Sequence, residues 1–345
     1  MTSYPSWLPE PLEPVVARLA RADECIYQIA DLSAEWSIGD AVSMTQYRRP
    51  SDTMTRTVIT EIRPIPPSIS LLFSEVIHHL RAALDNVVWA MVVAESGTPD
   101  ATSARSVALP IHTTAEQFQK WSKNTRSKVT YLAKPGARLF ERVRSLQPFT
   151  DKARIPSIRP QLAALTGHPS ENVHPLRLLQ EYSNTDKHRA IRMTVGRLMH
   201  TTFDVPVIEQ DRTFRELRVG TQLGKAVPWG TRQIIETSPA VMLERPHPWQ
   251  AAVAPATEAA WLRAWVADAA IPHLITDSTD VEPLLPAHID LSDSGLTLRE
   301  RITDGTREDA PARITPVQHA RLKQAMKTME ESPTWPEVVD EEWSE

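Results

Sequence analysis

The chain has 345 residues, of which 41% are hydrophobic and 23% are charged, as in an ordinary folded protein. This length is compatible with one large domain or with two smaller ones. The formal net charge of −5 argues against a broad basic surface that wraps duplex nucleic acid, but it permits a local basic patch.

Several common enzyme motifs are absent from the sequence. Glycine occurs only 10 times against 29 prolines, and neither GxGxxG nor GxxxxGK[ST] is present. GxSxG and HExxH are absent as well. These absences argue against the large enzyme classes that use those motifs. The abundance of proline predicts short elements joined by stiff connections.

The single cysteine and the N-terminal segment bear on the compartment. Cys25 has no second cysteine to pair with and lies among apolar residues at helical spacing, so we expect a buried thiol in a reducing cytoplasm. Residues 1–14 lack a basic start followed by an apolar core, so we do not expect a secretory signal. We also expect no membrane-spanning segment, because no window approaches roughly 18 apolar residues.

Hydrophobic spacing predicts helices in the first half of the chain, with one hairpin among them. An amphipathic helix is predicted over 9–34, and a wide apolar helix over 69–94. Weak alternation around a turn predicts a β-hairpin over 41–62. Further helices are predicted at 114–121, 129–146, 156–165 and from Pro175, which suits a first helical turn, to His188.

The hydrophobic period changes after Arg189. Alternating apolar and polar residues predict a small antiparallel sheet over 190–245, whose strands include 203–208, 213–219 and 233–243, with glycines 220, 224 and 230 in its turns. The remaining chain is predicted to contain a helix over 256–270, a loop over 277–310, a final helix over 315–331 and a frayed end over 337–345.

Together these elements predict an α+β protein, mainly an α-helical bundle with an early β-hairpin and a small antiparallel sheet after residue 190. We divide the chain accordingly into a bundle with an inserted hairpin (1–190), a β region packed on the bundle (191–250), C-terminal helices and loop (251–331), and an acidic tail (332–345).

The end of the helix that begins at Pro175 carries the densest chemical signal. Asn184 and His188 are four residues apart and share a helical face, while Lys187 and Arg189 lie about 100° to either side of His188. These groups suit metal-independent RNA cleavage, in which an imidazole takes the 2′-OH proton and a cation stabilises charge on the phosphate. Asp186 points elsewhere, and we expect it to pair with a cation or to tune the local field.

A structural interpretation of the same residues stays open. Cations near a helix C-terminus are favoured by about 0.3–1 kcal/mol each, because the helix dipole is negative there. Lys187, His188 and Arg189 could therefore serve only to cap the helix and to pack its turn into the sheet.

A second polar segment lies about a hundred residues upstream on the 69–94 helix. His78, Arg81, Asp85 and Trp89 follow one another at spacings of three and four, which forms a stripe distinct from the apolar face. Arg81 and Asp85 can pair within the helix. If the stripe is buried against the Asn184–Arg189 segment, a polar network must satisfy it, and we expect such an interhelical network.

No metal or cofactor is expected from the sequence. His168 and His174 flank a proline in a loop and lack a carboxylate or cysteine partner at ligand spacing.

Five segments stand out by their order and spacing, namely Ile65-Pro66-Pro67, His79-Leu80-Arg81-Ala82-Ala83-Leu84-Asp85-Asn86-Val87-Val88-Trp89, Leu109-Pro110-Ile111, Leu146-Gln147-Pro148-Phe149 and Asn184-Thr185-Asp186-Lys187-His188-Arg189. Together they resemble a poorly characterised group of bacterial, largely actinobacterial, and phage proteins. Their usual pattern is PP…hNLRsALDHlaw…fPi…lQPy…lxNxDKHR, and the resemblance covers about residues 1–200. This chain has His79 where asparagine is common and Asn86 where histidine is common.

Asn184-x3-His188 is also similar to the tail of the Arg-Asn-x3-His motif of HEPN ribonucleases and nucleotide-modifying toxins, which are helical bundles that act as dimers. Ser183 stands at the arginine position, so the phosphate-binding half of the motif is missing here. Lys187, Arg189 or Arg81 are the candidates to replace it.

Two functional hypotheses follow. We favour a non-catalytic protein with an interaction or ligand-sensing role that uses the polar cluster structurally; the alternative, implied by the resemblance, is a HEPN-like metal-independent ribonuclease or nucleotide-modifying toxin or defence protein. Partners would be RNA, another protein or a second copy of the chain. The residues involved are His188, Asn184, Lys187 and Arg189 in a catalytic role, and Arg81, Asp85, His78 and Asp186 in binding.

Overall fold

The computed structural model describes residues 3–49, 53–166, 169–202, 215–231, 235–331 and 337–339. Its helices and several small sheets confirm the predicted α+β class. The helices of the described chain are α1 (Glu13–Ile38), α2 (Pro67–Ser96), α3 (Ala101–Ala104), α4 (Ala115–Thr125), α5 (Thr130–Ala133), α6 (Arg138–Ser145), α7 (Pro160–Thr166), α8 (Pro175–His188), α9 (Pro255–Trp265), α10 (Ile271–Thr276), α11 (Leu298–Asp304) and α12 (Ala310–Glu331).

The strands form two four-stranded sheets and one short ladder within the described residues. The first sheet has the order β10-β1-β2-β7, the second β6-β5-β8-β9, and β3 pairs with β4. Every pairing is antiparallel except that of β1 with β10. The strands are β1 (Val42–Arg49), β2 (Met54–Ile62), β3 (Ile155–Pro156), β4 (Asn172–Val173), β5 (Met193–Thr202), β6 (Arg215–Glu216), β7 (Gln222–Pro228), β8 (Ile235–Glu244), β9 (Ala252–Val253) and β10 (Glu337–Val339).

The predicted hairpin and the sheet after residue 190 are both present, but their strands are shared differently than expected. β1 and β2 form the hairpin, and β5, β6, β8 and β9 form the later sheet. β7, however, lies beside β2, with Thr55 opposite Val227. The hairpin is therefore joined to the later part of the chain. The predicted strand at 203–208 and the first two residues of the one at 213–219 lie outside the described residues.

The structure corrects two predicted boundaries in the C-terminal region. The predicted loop over 277–310 contains α11. This helix begins with a capping box formed by Thr297 and Glu300. The last helix begins at Ala310 rather than at Thr315, because the carboxylate of Asp309 accepts the backbone N–H of Ala312 at 3.0 Å and so caps an earlier turn.

Two further predictions were wrong in part. The helix predicted over 129–146 is divided into α5 and α6, because Gly136 takes a φ of +84° after Pro135. The end predicted to be frayed forms β10 over Glu337–Val339, because this segment pairs with the edge of β1. Residues 340–345 of that prediction lie outside the described chain.

α1 and α2 form the centre of the core and pack along each other. Apolar side chains recur at helical spacing on both, and residues such as Leu19, Ile26, Phe73 and Leu84 are at most 1% exposed. Burial of such a side chain contributes about 1.5–3 kcal/mol to folding. α8, α9 and α12 pack around this pair and cover its remaining apolar faces.

By length and composition, α2 could cross a membrane, and among the described residues it is the helix with this property. This corrects the expectation that no such segment exists. Its apolar face, from Ile69 to Val92, is buried in the core.

A fully buried ion pair joins the second sheet to the helices. Arg245 follows β8, and its Nε and Nη2 each donate to the carboxylate of Glu258 on α9 at 2.9 Å. The hydroxyl of Tyr182 on α8 donates to the same carboxylate at 3.1 Å. Nη1 and Nη2 of Arg245 also donate to the backbone carbonyls of Glu171 and Pro156. Both charged side chains are 0% exposed, so each hydrogen bond offsets the loss of hydration.

Asp23 forms a second buried centre, which holds the C-terminal helices against α1. Its carboxylate accepts the backbone N–H of Ala310 at 3.0 Å and a guanidinium hydrogen bond from Arg313 at 2.6 Å. Arg263 of α9 lies 3.5 Å from the same carboxylate and donates to the carbonyl of Ala287. The start of α12 is thus tied to α1 and α9 by one buried side chain.

We expect Arg245→Ala to lower the free energy of unfolding by about 3–5 kcal/mol, because it leaves the carboxylate of Glu258 buried without its cation. Denaturant unfolding measures this loss. The control is Arg192→Ala, since Arg192 is exposed and lies 3.4 Å from Glu244; exposed pairs contribute about 0–1 kcal/mol. Equal losses in the two variants would contradict the central role of the buried pair.

We expect Cys25 to be unreactive in the folded protein. Burial raises the pKa of its thiol to about 12, although the charge of Arg21 opposes the shift. The reactive thiolate is therefore scarce at pH 8. An Ellman's assay should detect one thiol in denaturant and almost none in the native chain. Ser96→Cys, at an exposed position, is the positive control; rapid native reaction of the wild type would contradict the prediction.

Candidate functional site

α8 begins as the sequence predicted, at Pro175. The Nδ1 of His174 accepts the backbone N–H of Leu176 at 3.1 Å and caps the helix. Proline suits the first helical position, where its missing N–H has no intrahelical partner. Leu178, Leu179 and Tyr182 then bury one face of α8 in the core. The two turns before the polar segment are therefore fixed by packing.

The last turn of α8 faces solvent. The side chains of Asn184, Asp186, Lys187, His188 and Arg189 are all exposed. The helix ends there because the backbone of Arg189 is extended, with φ −152° and ψ 157°. Its N–H still donates to the carbonyl of Thr185 at 2.6 Å. The chain then enters β5, as the change of hydrophobic period predicted.

α8 packs against α2, and its contacts include an aromatic pair and a hydrogen bond. The ring of Phe73 lies edge-on to that of Tyr182, with centroids 5.0 Å apart. Beside them, the hydroxyl of Ser74 donates to the carboxylate of Asp186 at 2.5 Å. Asp186 was expected to pair with a cation or to tune the local field; the hydrogen-bond partner that the structure shows is this hydroxyl. The contact ties the exposed turn to the surface of α2.

Arg81 and Asp85 pair within α2, as their spacing predicted, at 3.4 Å. Their main partner is the backbone of Leu109. Arg81 Nη2 donates to the carbonyl of Leu109 at 2.6 Å, and Asp85 Oδ1 accepts its N–H at 2.8 Å. The pair therefore fixes the loop before Pro110. The expected interhelical network is replaced here by hydrogen bonds to a loop.

One electrostatic interaction does join the two predicted segments. Burial raises the pKa of Asp85, while the charge of Arg81, the hydrogen bond from Leu109 and the charge of Lys187 on α8 lower it. Burial also lowers the pKa of Arg81, and the carboxylate of Asp85 opposes that shift. The ammonium of Lys187 thus lies within electrostatic range of the α2 pair. The last turn of α8 therefore interacts with α2 through Ser74 and through Asp85.

The remaining predicted residues are not gathered into a catalytic arrangement. The amide oxygen of Asn184 accepts from Nε2 of Gln180 at 3.0 Å, one turn back along α8. His78 is exposed and has its ring 5.8 Å from that of His79. Trp89, at the other end of the stripe, is 37% exposed. Only Ser74, which the sequence reasoning did not include, makes a hydrogen bond from α2 to the α8 turn among these contacts.

Sequence reasoning also missed a polar cluster between α1 and α2. Arg21 donates twice to the carboxylate of Glu75, at 2.7 and 3.1 Å, and His79 lies 3.5 Å from the same carboxylate. Burial lowers the pKa of His79, although Glu75 opposes the shift. The four-residue spacing of Glu75 and His79 was visible in the sequence. The contribution of α1 was not, because Arg21 is 54 residues away.

Ser145 and His273 form a second contact without any local signal. Their Oγ and Nε2 lie 2.6 Å apart although the residues are 128 positions apart. The hydroxyl also donates to the carbonyl of Arg142 at 2.8 Å. The contact therefore links α6 to α10.

The described residues contain no group of three or more His, Cys, Asp or Glu side chains that could hold a metal ion. His174 was expected to lack a carboxylate partner; its Nε2 lies 3.1 Å from Asp151, a pair formed by distant parts of the chain. His168 lies outside the described residues.

Comparison with known protein families, with curated proteins and with solved structures finds no match for this chain.

We expect Asp85→Ala to lower the free energy of unfolding by about 1–3 kcal/mol, because it leaves the N–H of Leu109 without its acceptor. Asp85→Asn is the matched variant, since its amide oxygen can still accept this hydrogen bond, while both changes remove the negative charge that pairs with Arg81. Denaturant unfolding should therefore show a smaller loss for Asp85→Asn. Equal losses would contradict the role of the Leu109 contact.

The difference in stability between wild type and Asp85→Asn should depend on pH. Because burial raises the pKa of Asp85 above its ordinary 3.8, the folded state binds this proton more tightly than the unfolded state. The contribution of Asp85 to the free energy of unfolding therefore falls as the pH rises from 3.8, the ordinary pKa, to the higher pKa of the folded state. The stability of wild type relative to Asp85→Asn should decline over the same range.

Proposed function

We propose that this protein is a non-catalytic binding protein, which recognises a phosphate-bearing partner through the last turn of α8. The observation that supports this is a division of roles among the polar residues. Lys187, His188 and Arg189 are exposed together, while Arg81 and Asp186 make hydrogen bonds within the fold.

The turn is held on a rigid base. Tyr182, one turn earlier, donates to the buried carboxylate of Glu258, and Asp186 accepts from Ser74 on α2. A cationic turn held at two points loses little conformational freedom when a partner binds. This favours recognition by a preformed surface.

The chemistry of the turn suits an anion. Lysine and arginine supply charged donors to phosphate oxygens, and an exposed histidine adds a further donor when protonated. The net charge of −5 confines such binding to a local patch, so we expect a partner that presents a few phosphates, such as a single-stranded RNA segment, and not an extended duplex.

Catalysis would require more rearrangement. Arg81, one candidate to replace the missing arginine at Ser183, is committed to Leu109 and Asp85. The amide oxygen of Asn184 already accepts a hydrogen bond from Gln180 on the same helix. A HEPN-like ribonuclease or nucleotide-modifying enzyme is therefore the alternative, supported by the exposure of His188 at the Asn-x3-His spacing.

We propose that the protein is cytoplasmic. Its single cysteine, Cys25, is buried as a free thiol, which suits a reducing compartment.

The test is binding and cleavage of a fluorescently labelled single-stranded RNA. We expect wild type to bind in a salt-dependent manner and to leave the RNA intact. The double variant Lys187→Ala/Arg189→Ala should bind more weakly, and its slope of log affinity against log salt should shrink by about 0.7 for each lost phosphate contact. Fluorescence anisotropy across a salt series measures both.

The control is Lys120→Ala/Lys123→Ala, which removes two exposed charges from α4 and should leave binding unchanged. An equal effect of both double variants, or no binding by wild type, would overturn the proposal. Cleavage by wild type that His188→Ala abolishes without loss of thermal stability would favour the ribonuclease alternative instead.

A further inference from the structure

Trp89 exposes a large aromatic side chain on α2 beside the candidate site. It is 37% exposed, although the preceding residues Val87 and Val88 are fully buried. Trp89 continues the stripe one helical turn beyond Asp85, so the two side chains share a face of α2, about 6 Å apart along the helix axis. The ammonium of Lys187 interacts electrostatically with Asp85. The indole therefore lies one turn from the carboxylate that the last turn of α8 reaches.

Packing within the fold does not account for this indole. The N–H of Trp36 donates to the carbonyl of Pro64 at 3.1 Å, and the ring of Trp229 is covered by the guanidinium of Arg48 at 5.4 Å. Within the described residues, Trp89 makes no hydrogen bond, and neither another aromatic ring nor a guanidinium stacks on it. Tryptophan supplies a large and rigid contact surface, which is why binding surfaces are enriched in it. The exposed face of Trp89 is thus available to a ligand.

The charges near Trp89 favour different parts of a ligand at different places. The cations of the last α8 turn, Lys187, His188 and Arg189, are exposed and attract phosphate. One turn before the indole, the carboxylate of Asp85 repels it by like charge, even though Arg81 lies 3.4 Å away. A nucleobase carries no net charge and escapes this repulsion. A strand whose backbone lies on the α8 turn therefore presents a base, and not a phosphate, to the indole.

We propose that Trp89 stacks against a nucleobase of a single-stranded RNA whose phosphates occupy the last turn of α8. This inference rests on the proposed phosphate recognition and adds the class of partner, a strand with accessible bases. Every base has a π face, so such stacking is tolerant of sequence. The bases of a duplex are paired and stacked on one another, and they do not reach a side chain in this way.

The test compares two strands of equal length. One is a fluorescently labelled single-stranded RNA, and the other is the same sugar-phosphate backbone without bases. The phosphates are identical, so the strands differ only in the groups that Trp89 would contact. Fluorescence anisotropy measures the Kd of each. We expect wild type to bind the RNA more tightly than the abasic strand by between about 5-fold and about 100-fold, the range for one stacked base.

Two variants separate stacking from apolar contact. Trp89→Leu keeps an apolar side chain without a π face, so it should lose most of the preference for RNA and bind the abasic strand as wild type does. Trp89→Phe keeps a smaller ring and should bind RNA with an intermediate affinity. Because Trp89 carries no charge, neither variant should change the slope of log affinity against log salt. The double variant Lys187→Ala/Arg189→Ala should instead weaken the binding of both strands and reduce that slope.

The matched control is Trp229→Leu. It removes an indole that is 42% exposed but already covered by Arg48 on the first sheet, so both affinities should stay at the wild-type values. Thermal unfolding of every variant verifies that the fold is retained. If Trp89→Leu unfolds, Trp89→Phe provides the comparison with wild type, since it must still lose affinity for RNA and not for the abasic strand.

Three results would overturn the stacking role. Wild type could bind both strands equally, Trp89→Leu could bind RNA as wild type does, or Trp89→Leu could weaken both strands alike, which would indicate a structural role. In each case, salt-dependent binding that Lys187→Ala/Arg189→Ala weakens would still support phosphate recognition by α8. Failure of wild type to bind either strand would instead contradict the phosphate recognition itself, and the stacking role with it.

Discussion

The position of α8 depends on the buried pair of Arg245 and Glu258. Arg245 directly follows β8, and it binds the carboxylate of Glu258 on α9. The hydroxyl of Tyr182 on α8 donates to the same carboxylate. Burial raises the pKa of Tyr182 well above its ordinary value, so this hydroxyl stays protonated and acts as a donor. Two charges removed from water are tolerated only when their hydrogen bonds are nearly complete. The second sheet, α8 and α9 must therefore keep one relative geometry. The same constraint fixes the position of the exposed end of α8.

The polar stripe of α2 serves the fold more than a ligand. Arg81 and Asp85 form hydrogen bonds with the backbone of Leu109. Ser74, which lies on α2 outside the stripe, donates a hydrogen bond to Asp186. Half-buried charged groups that lacked such partners would destabilise the protein, so these contacts account for the polar residues that face the interior. The cations of the last α8 turn need no such partners, because they remain hydrated. Lys187, His188 and Arg189 are therefore the exposed groups on which the proposed binding rests.

Local signals in the sequence predicted local structure well. Pro175 marked the start of α8, turn residues marked the hairpin, and the four-residue spacing of Arg81 and Asp85 predicted their pair. Contacts between residues that are far apart in the sequence could not be predicted. Asp23 binds Arg313 290 positions away, and which strand reaches the edge of β1 depends on where α12 ends. A single sequence carries periodicity, but it does not reveal which buried charge faces which.

The same limit applied to the candidate site, and it bears on the choice between binding and catalysis. The sequence correctly placed Asn184 and His188 at a helix end, yet it could not show that Asn184 accepts from Gln180. A catalytic imidazole needs a second group that orients it and a cation placed at the developing charge. Here the orienting amide and the guanidinium of Arg81 already have other partners. Binding of an anion requires only exposed cations on a fixed turn, which Lys187 provides without any rearrangement.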